Sequence, residues 1–279
     1  MEGNSGVSAR GMPAGRAALL AVLVVTLVGW LYTPPVYRLL GGRTVLWIYD
    51  LANIAVACLG AWLAFLLWRS FKPGETLSII WGFLATGLTL WALGEIIWSS
   101  DQLLFGEKLP YPSTADVVWL AGYVPVILAL ALRFRTFQMR LARPVQFAAL
   151  SAFGLGAAFT ILTVIVPILQ DSQAGGTLEK LVNVLYPIGD LTVAFFALLI
   201  VLVLMGGKLV GAWGLIAFGY LSLAISDVLY AYGVWQGTYQ VDPALGLDFM
   251  SYLINLLYTA SYVLVALGLY QRARLQNAV

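Results

Sequence analysis

Six polar side chains lie where the sequence gives them little polar company. Glu95, Asp116, Asp190, Asp227, Asn53 and Asn255 are all embedded in long apolar runs. Helical spacing puts aromatics beside them: Trp91, Glu95 and Trp98 share a face at i, i+4 and i+7, and Asp116, Trp119 and Tyr123 at i, i+3 and i+7. Later in the chain Asp227 precedes Tyr230, and Asn255 precedes Tyr258 and Tyr262. Carboxylates in such a setting can hold a ligand, pass a proton or bind a hard cation, and the spacing selects none of these. The chain has no histidine. That excludes an imidazole base, a Ser-His-Asp triad, the usual zinc site and a histidine-ligated haem. Gly41-Gly42 and Gly206-Gly207 read as turns at helix ends rather than phosphate-cradling loops. No catalytic residue, metal-ligand set or cofactor is specified.

The elements that must position these groups follow from composition. The chain is 61% hydrophobic and 10% charged, with a net charge of +2, and a bilayer is crossed by about 20 mostly apolar residues. Such stretches lie near Ala17–Val36, Val45–Trp68, Leu77–Ser99, Ala115–Phe134, Val145–Leu169, Val182–Met205, Gly211–Val234 and Phe249–Tyr270. The expected fold is an all-α membrane protein of eight transmembrane helices. Arg10 and Arg16 precede the first run as in a signal peptide, but it leads into Gly-Trp-Leu-Tyr-Thr-Pro-Pro without a small-residue cleavage site, and is read as a retained helix. Glu95 and Asp227 then fall about one turn from the ends of spans three and seven, and Asp116 and Asn255 in the first turns of spans four and eight. Asn53 and Asp190 fall about two turns into spans two and six. A charge at mid-membrane costs roughly 2.5–3.5 kcal/mol on insertion scales, so these groups should face the bundle interior. Cys58 is the single cysteine, which excludes an intramolecular disulfide.

Orientation follows from Lys and Arg placement. Arg10, Arg16, Arg69, Lys72, Arg133, Arg135, Arg140, Arg143, Lys208, Arg272 and Arg274 fall at one set of ends, and Arg38, Arg43, Lys108 and Lys180 at the other. Both termini are therefore expected in the cytoplasm. The basic rim reports insertion topology, not nucleic-acid binding.

The chain also repeats itself. WGFLATGLTLWALGEIIWSS (81–100) matches WGLIAFGYLSLAISDVLYAY (213–232) without a gap at a shift of 132, setting Glu95 on Asp227. ADVVWLAGYVPVILALALRFR (115–135) matches INLLYTASYVLVALGLYQRAR (254–274) at a shift of 139, setting Asp116 on Asn255, Tyr123 on Tyr262 and Arg133 on Arg272. Asp248 competes with Asn255 as the counterpart of Asp116. The expected organisation is a cytoplasmic tail over 1–16, two parallel four-helix repeats over 17–136 and 137–271, and a short tail over 272–279.

Plainer readings compete for the same residues. Trp and Tyr gather at membrane interfaces for amphipathic reasons alone. A carboxylate in the first turn of a helix suits the dipole, so Asp116 reads equally as a cap and as a ligand contact. Glu95 and Asp227 sit near C-terminal helix ends, where the dipole opposes a carboxylate, and capping does not account for them.

The run GEIIWSS…LPYPSTADVVWLAGYVPVILAL (94–130), with LYPIGDL (185–191) and SDVLYAYGVWQGTYQ (226–240), resembles the multi-helix membrane sensor domains found N-terminal to bacterial diguanylate cyclases and some histidine kinases. The resemblance implies helices of the bacterial inner membrane that perceive a signal and pass it to a cytoplasmic output domain. This sequence carries no cyclase signature and no phospho-acceptor histidine, so a signalling partner, cytoplasmic or in the membrane, is expected to supply the output. Together these readings favour a sensor or ligand-binding module over an enzyme, a lipid-modifying site built from carboxylates staying open, with an outward-facing cavity for an unidentified small molecule or lipid. Glu95, Asp227, Asp116, Asp190 and Asn255 would supply polar contacts, and Trp91, Trp98, Trp119, Tyr123, Tyr230 and Tyr258 the walls. A small-molecule or proton-coupled transporter and a structural or cofactor-holding subunit of a membrane complex remain as alternatives. The lipid bilayer is an implied partner in all three, and nucleic acid in none.

Overall fold

A computed structural model of the chain describes residues 12–105, 111–137, 142–171, 176–204, 210–239, 241–242 and 246–279. Backbone N–H and C=O groups have no water partners in lipid, so apolar segments of this length satisfy them as helices. Eight segments among the described residues are long and apolar enough to span a membrane, and the protein is a multi-pass, all-helical membrane protein. In chain order the helices are α1 (Ala14–Leu31), α2 (Pro34–Leu40), α3 (Gly42–Arg69), α4 (Thr76–Phe105), α5 (Thr114–Arg135) and α6 (Arg143–Thr160). A π-helical turn (Ile161–Ile165) joins α6 to α7 (Val166–Gln170), and α8 (Thr177–Leu204), α9 (Val210–Trp235) and α10 (Phe249–Leu275) complete the chain. Val241–Asp242 and Gly246–Leu247, β1 and β2, form a two-residue antiparallel pairing before α10.

Two features depart from the sequence expectation for local reasons. The first apolar run does not continue to Val36: it stops at Leu31, and Pro34 and Pro35 open the short helix α2, where proline's fixed φ and missing N–H suit a first turn. The fifth span carries its π turn immediately before Pro167, whose ring and absent N–H disturb the preceding turn. Gly41, at φ 79° between α2 and α3, adopts a backbone that side chains disfavour.

Six helices close a ring. α3 packs on α4, α4 on α5, α5 on α8, α8 on α9, α9 on α10, and α10 returns to α3. Exchanging α3 with α8, α4 with α9 and α5 with α10 leaves this order unchanged. Across its middle the rings of Trp81 and Trp213, both nearly inaccessible, meet at 4.9 Å. The α4–α5 and α9–α10 hairpins are closed by like contacts. An ideal Cβ on Gly87 would meet Val126 Cγ2 at 2.5 Å and the Gly122 carbonyl at 3.0 Å; one on Gly219 would meet Val265 Cγ2 at 2.7 Å and the Ser261 carbonyl at 2.8 Å. Counted from this contact, the residue standing on α10 where Asp116 stands on α5 is Asn255. The outer helices follow no such exchange: α1 rests mainly on α10, whereas α6, the π turn and α7 rest on α8 and α9. Large apolar side chains such as Leu19, Leu155 and Leu162 face outward, as lipid-facing surfaces require.

Candidate functional site

Three carboxyl groups meet in the bundle, from α4, α8 and α9. Glu95 is 6% exposed. Its Oε1 accepts hydrogen bonds from two α10 hydroxyls, Tyr258 and, at 2.9 Å, Tyr262; the two tyrosine rings meet edge to face at 5.3 Å. Helical spacing alone would give both tyrosines to Asn255 on their own helix, but the fold turns them across to α4. Trp119 also approaches Glu95, but its indole nitrogen falls short of a hydrogen bond and is buried without a partner.

Asp190 is 2% exposed, and its Oδ1 accepts the Tyr123 hydroxyl at 2.5 Å. Gly189 makes this reach possible: a Cβ there would meet the Tyr123 ring at 2.7 Å. The second oxygen, Oδ2, is buried and accepts no N–H or hydroxyl from the described residues. The side chain that approaches Asp190 from α9 is the carboxyl of Asp227. Glu95 lies within Coulombic reach of Asp227, and no lysine or arginine is among the partners of any of the three. A buried carboxylate normally has a cationic or metal partner. Here tyrosine hydroxyls take that place at Glu95 and Asp190.

The remaining expected residues form a layer around this centre. Trp91 sets its ring against Tyr123 at 5.3 Å and Tyr220 at 5.9 Å, and its indole N–H donates to the Trp119 carbonyl at 3.0 Å. The hairpin is keyed twice, since Trp91 lies on Gly122 and Trp119 on Gly94. Asp116 uses both oxygens: Oδ2 accepts from the Ser113 N–H at 2.6 Å and its hydroxyl at 3.0 Å, and Oδ1 accepts the Tyr186 hydroxyl at 2.9 Å. It therefore closes a cap on α5 and ties α5 to α8. On α10 the capping is done by Asp248, whose carboxylate accepts the Ser251 N–H at 2.7 Å. Asn255 donates to the Ser251 carbonyl at 2.7 Å and to the Tyr239 hydroxyl at 3.1 Å. Tyr230, 45% exposed, sets its ring on Tyr239 at 4.9 Å and makes no hydrogen bond to the carboxyls. Trp98 joins another group: with the Gln102 amide oriented to satisfy both neighbours, Gln102 accepts from Trp98 Nε1 at 3.1 Å and donates to Asp50 at 3.0 Å.

No family model, curated protein or solved structure matches the chain. The site therefore speaks through its own geometry.

Tyr186, Tyr239, Asp50 and Gln102 complete this layer and were not among the expected site residues. Tyr186 had a signal, since it stands four residues before Asp190 on the same helix face. Gln102 had one too, four residues after Trp98 on α4, whereas Tyr239 had none, because it reaches α10 from the loop after α9. Outside the spans, burial holds the hydroxyls of Tyr111 and Tyr239 protonated above the usual tyrosine range, with the Asp116 charge adding to the effect at Tyr111 and the Asp248 charge at Tyr239. Among the described residues no group of acidic or sulfur side chains is arranged to hold a metal ion. Beside Tyr262 the helices leave a gap of about 10 Å³ lined by Trp91, Tyr220 and Ser261 among others, room for one water at most.

Proposed function

We propose that the protein is a sensor or ligand-binding module of the bacterial inner membrane, whose ligand competes for the carboxyl groups of Glu95, Asp190 and Asp227. The observation that carries this reading is that two buried carboxyls, Glu95 and Asp190, and the half-buried Asp227 approach one another from three helices, with no basic residue among their described partners. Such a centre favours a positively charged ligand group, which supplies the missing counter-charge. The ligand takes Glu95 only by displacing Tyr258 and Tyr262, so binding shifts α10 against α4. α10 runs from this centre to Arg272 and Arg274, and that shift is the signal offered to a partner. The resemblance of residues 94–130, 185–191 and 226–240 to membrane sensor domains supports the same reading. The unchanged ring order on exchange of α3–α5 with α8–α10, the like Gly87 and Gly219 contacts and the Trp81–Trp213 stack support an origin in two parallel four-helix repeats. The Lys and Arg count supports both termini in the cytoplasm, with the carboxyl centre toward the outer side.

A second reading, a proton-coupled carrier, draws on the Asp190–Asp227 pair, since neighbouring carboxyls on two helices are groups that a transport cycle can protonate and release. One experiment separates the readings. Protein purified in mild detergent is analysed for retained small molecules by mass spectrometry, and in proteoliposomes for proton uptake. Loss of a retained cationic molecule in Glu95→Gln and Asp227→Asn, with folding intact and Asp101→Asn unaffected, is the expected result for a sensor. Proton flux that depends on Asp190 and Asp227 establishes the carrier. Variants that keep a normal ligand complement refute the site.

A further inference from the structure

The arginine-rich end of the bundle holds a cation that the carboxyl centre does not explain. Arg133, in the last turn of α5, is 8% exposed. Its guanidinium lies over the Phe137 ring at 4.2 Å and the Trp213 ring at 4.8 Å. One nitrogen, Nη1, donates to the Thr136 hydroxyl at 3.0 Å, while Nε is buried and has no acceptor. Arg272, from the last turn of α10, adds a second cation within Coulombic reach of Arg133, and among the described residues neither guanidinium has a carboxylate partner. Glu75, the acid of the turn before α4, is exposed. Two further donors at this end are buried without acceptors among the described residues, Arg274 Nε and the indole nitrogen of Trp81 in the Trp81–Trp213 stack.

Stacking alone accounts for the place of the Arg133 plane, because cation–π contact favours a guanidinium over Trp and Phe. It does not account for two like charges within Coulombic reach of each other, or for donors left without acceptors among the described residues in a desolvated layer. What the layer lacks is an acceptor-rich anion. The geometry points to an oxyanion site of the phosphate class, with Arg133 and Arg272 holding one phosphate group between them. A planar guanidinium fork matches phosphate oxygens through paired charge-assisted hydrogen bonds. The phosphate belongs either to a lipid headgroup or to a soluble phosphate. The site is separate from the carboxyl centre: Trp81 and Glu95 lie fourteen residues apart on α4, about 21 Å along the helix axis.

The test uses the full chain in mild detergent and two probes, phosphatidylglycerol and inorganic phosphate. In native mass spectrometry the wild type retains phosphatidylglycerol over phosphatidylcholine. Arg133→Gln and Arg272→Gln each cut that occupancy about tenfold, the loss of one charge-assisted hydrogen bond. Arg135→Gln, an exposed neighbour, leaves it unchanged. Thermal unfolding with added inorganic phosphate separates the two sources. Stabilisation that Arg272→Gln abolishes identifies a soluble phosphate; lipid retention with no phosphate response identifies a headgroup. Wild-type protein that shows neither preference nor response overturns the site. So does a preference or response unchanged in Arg272→Gln, a half-buried side chain whose loss leaves the Arg133 stack in place even where Arg133→Gln does not fold.

Discussion

Alanine at Gly87 or at Gly219 tests whether the two hairpins are held by equivalent contacts. A methyl on Gly87 would stand 2.5 Å from Val126 Cγ2, 3.0 Å from the Gly122 oxygen and 3.1 Å from the Val126 nitrogen. On Gly219 the corresponding distances are 2.7 Å to Val265 Cγ2, 2.8 Å to the Ser261 oxygen and 3.0 Å to the Val265 nitrogen. Carbon atoms attract best at roughly 3.5–4.0 Å, so each methyl arrives about 1 Å too close. Two of its three neighbours in each case are backbone atoms, which move only if the helices part. Overpacking of this kind costs about 1–3 kcal/mol, and alanine recovers about 1 kcal/mol over glycine in a helix. With the clash at the upper end of that range, each variant is expected to lose about 1–2 kcal/mol, and the two losses should match. Gly60 is the control: the nearest atom to a methyl there is Leu269 Cδ1 at 4.0 Å, so Gly60→Ala should be neutral or gain roughly 0.5–1 kcal/mol. Reversible unfolding in mixed micelles of a mild detergent and SDS measures all three. Gly87→Ala or Gly219→Ala proving as stable as Gly60→Ala refutes the close packing from which these numbers come.

Three further outcomes are expected. Tyr123→Phe removes the hydroxyl that Asp190 accepts and should cost about 1.5–3 kcal/mol, whereas Tyr220→Phe removes a buried hydroxyl with no partner and should be neutral or stabilising; equal effects in the same unfolding assay contradict the assignment. Asp116→Ala opens the α5 cap and frees Tyr186, for a loss of about 2–4 kcal/mol combining the cap with a buried hydroxyl; protease sensitivity just before Thr114 should rise with it. Burial keeps the Tyr239 hydroxyl protonated beyond the usual range, while the unfolded chain titrates near pH 10. Stability is therefore intact below about pH 10 and falls as pH rises above it; Tyr239→Phe should flatten that alkaline slope, and an unchanged slope counts against the burial described.

The number and nature of the spans were legible because the bilayer imposes a length and a composition that no other constraint overrides. The Pro34 break and the π turn before Pro167 were not, since apolar composition runs through both. Within single helices the spacing rule was sound: Trp91 and Glu95 do share the face that turns inward. It failed at partners. Periodicity gives the face of a helix but not the helix opposite, so Tyr258 and Tyr262 were expected beside Asn255 and instead serve Glu95 on α4. The same limit hid Tyr186, whose partner is Asp116 on the neighbouring helix α5. Arg133 shows a related blind spot. Its position at a span end reads as a topology signal, and only the placement of Phe137 and Trp213 reveals that the charge is covered.

The seating of the peripheral helices decides how many neighbours the ring can serve. A ring whose order survives the exchange of its halves would offer two identical flanks, and a partner fitting one would fit the other. α1 lies along α10, while α5, the counterpart of α10, carries no comparable cover among the described residues, and α6 and α7 lie elsewhere, on α8 and α9. The flanks are thereby made distinguishable. Any membrane partner would meet one such docking side per chain.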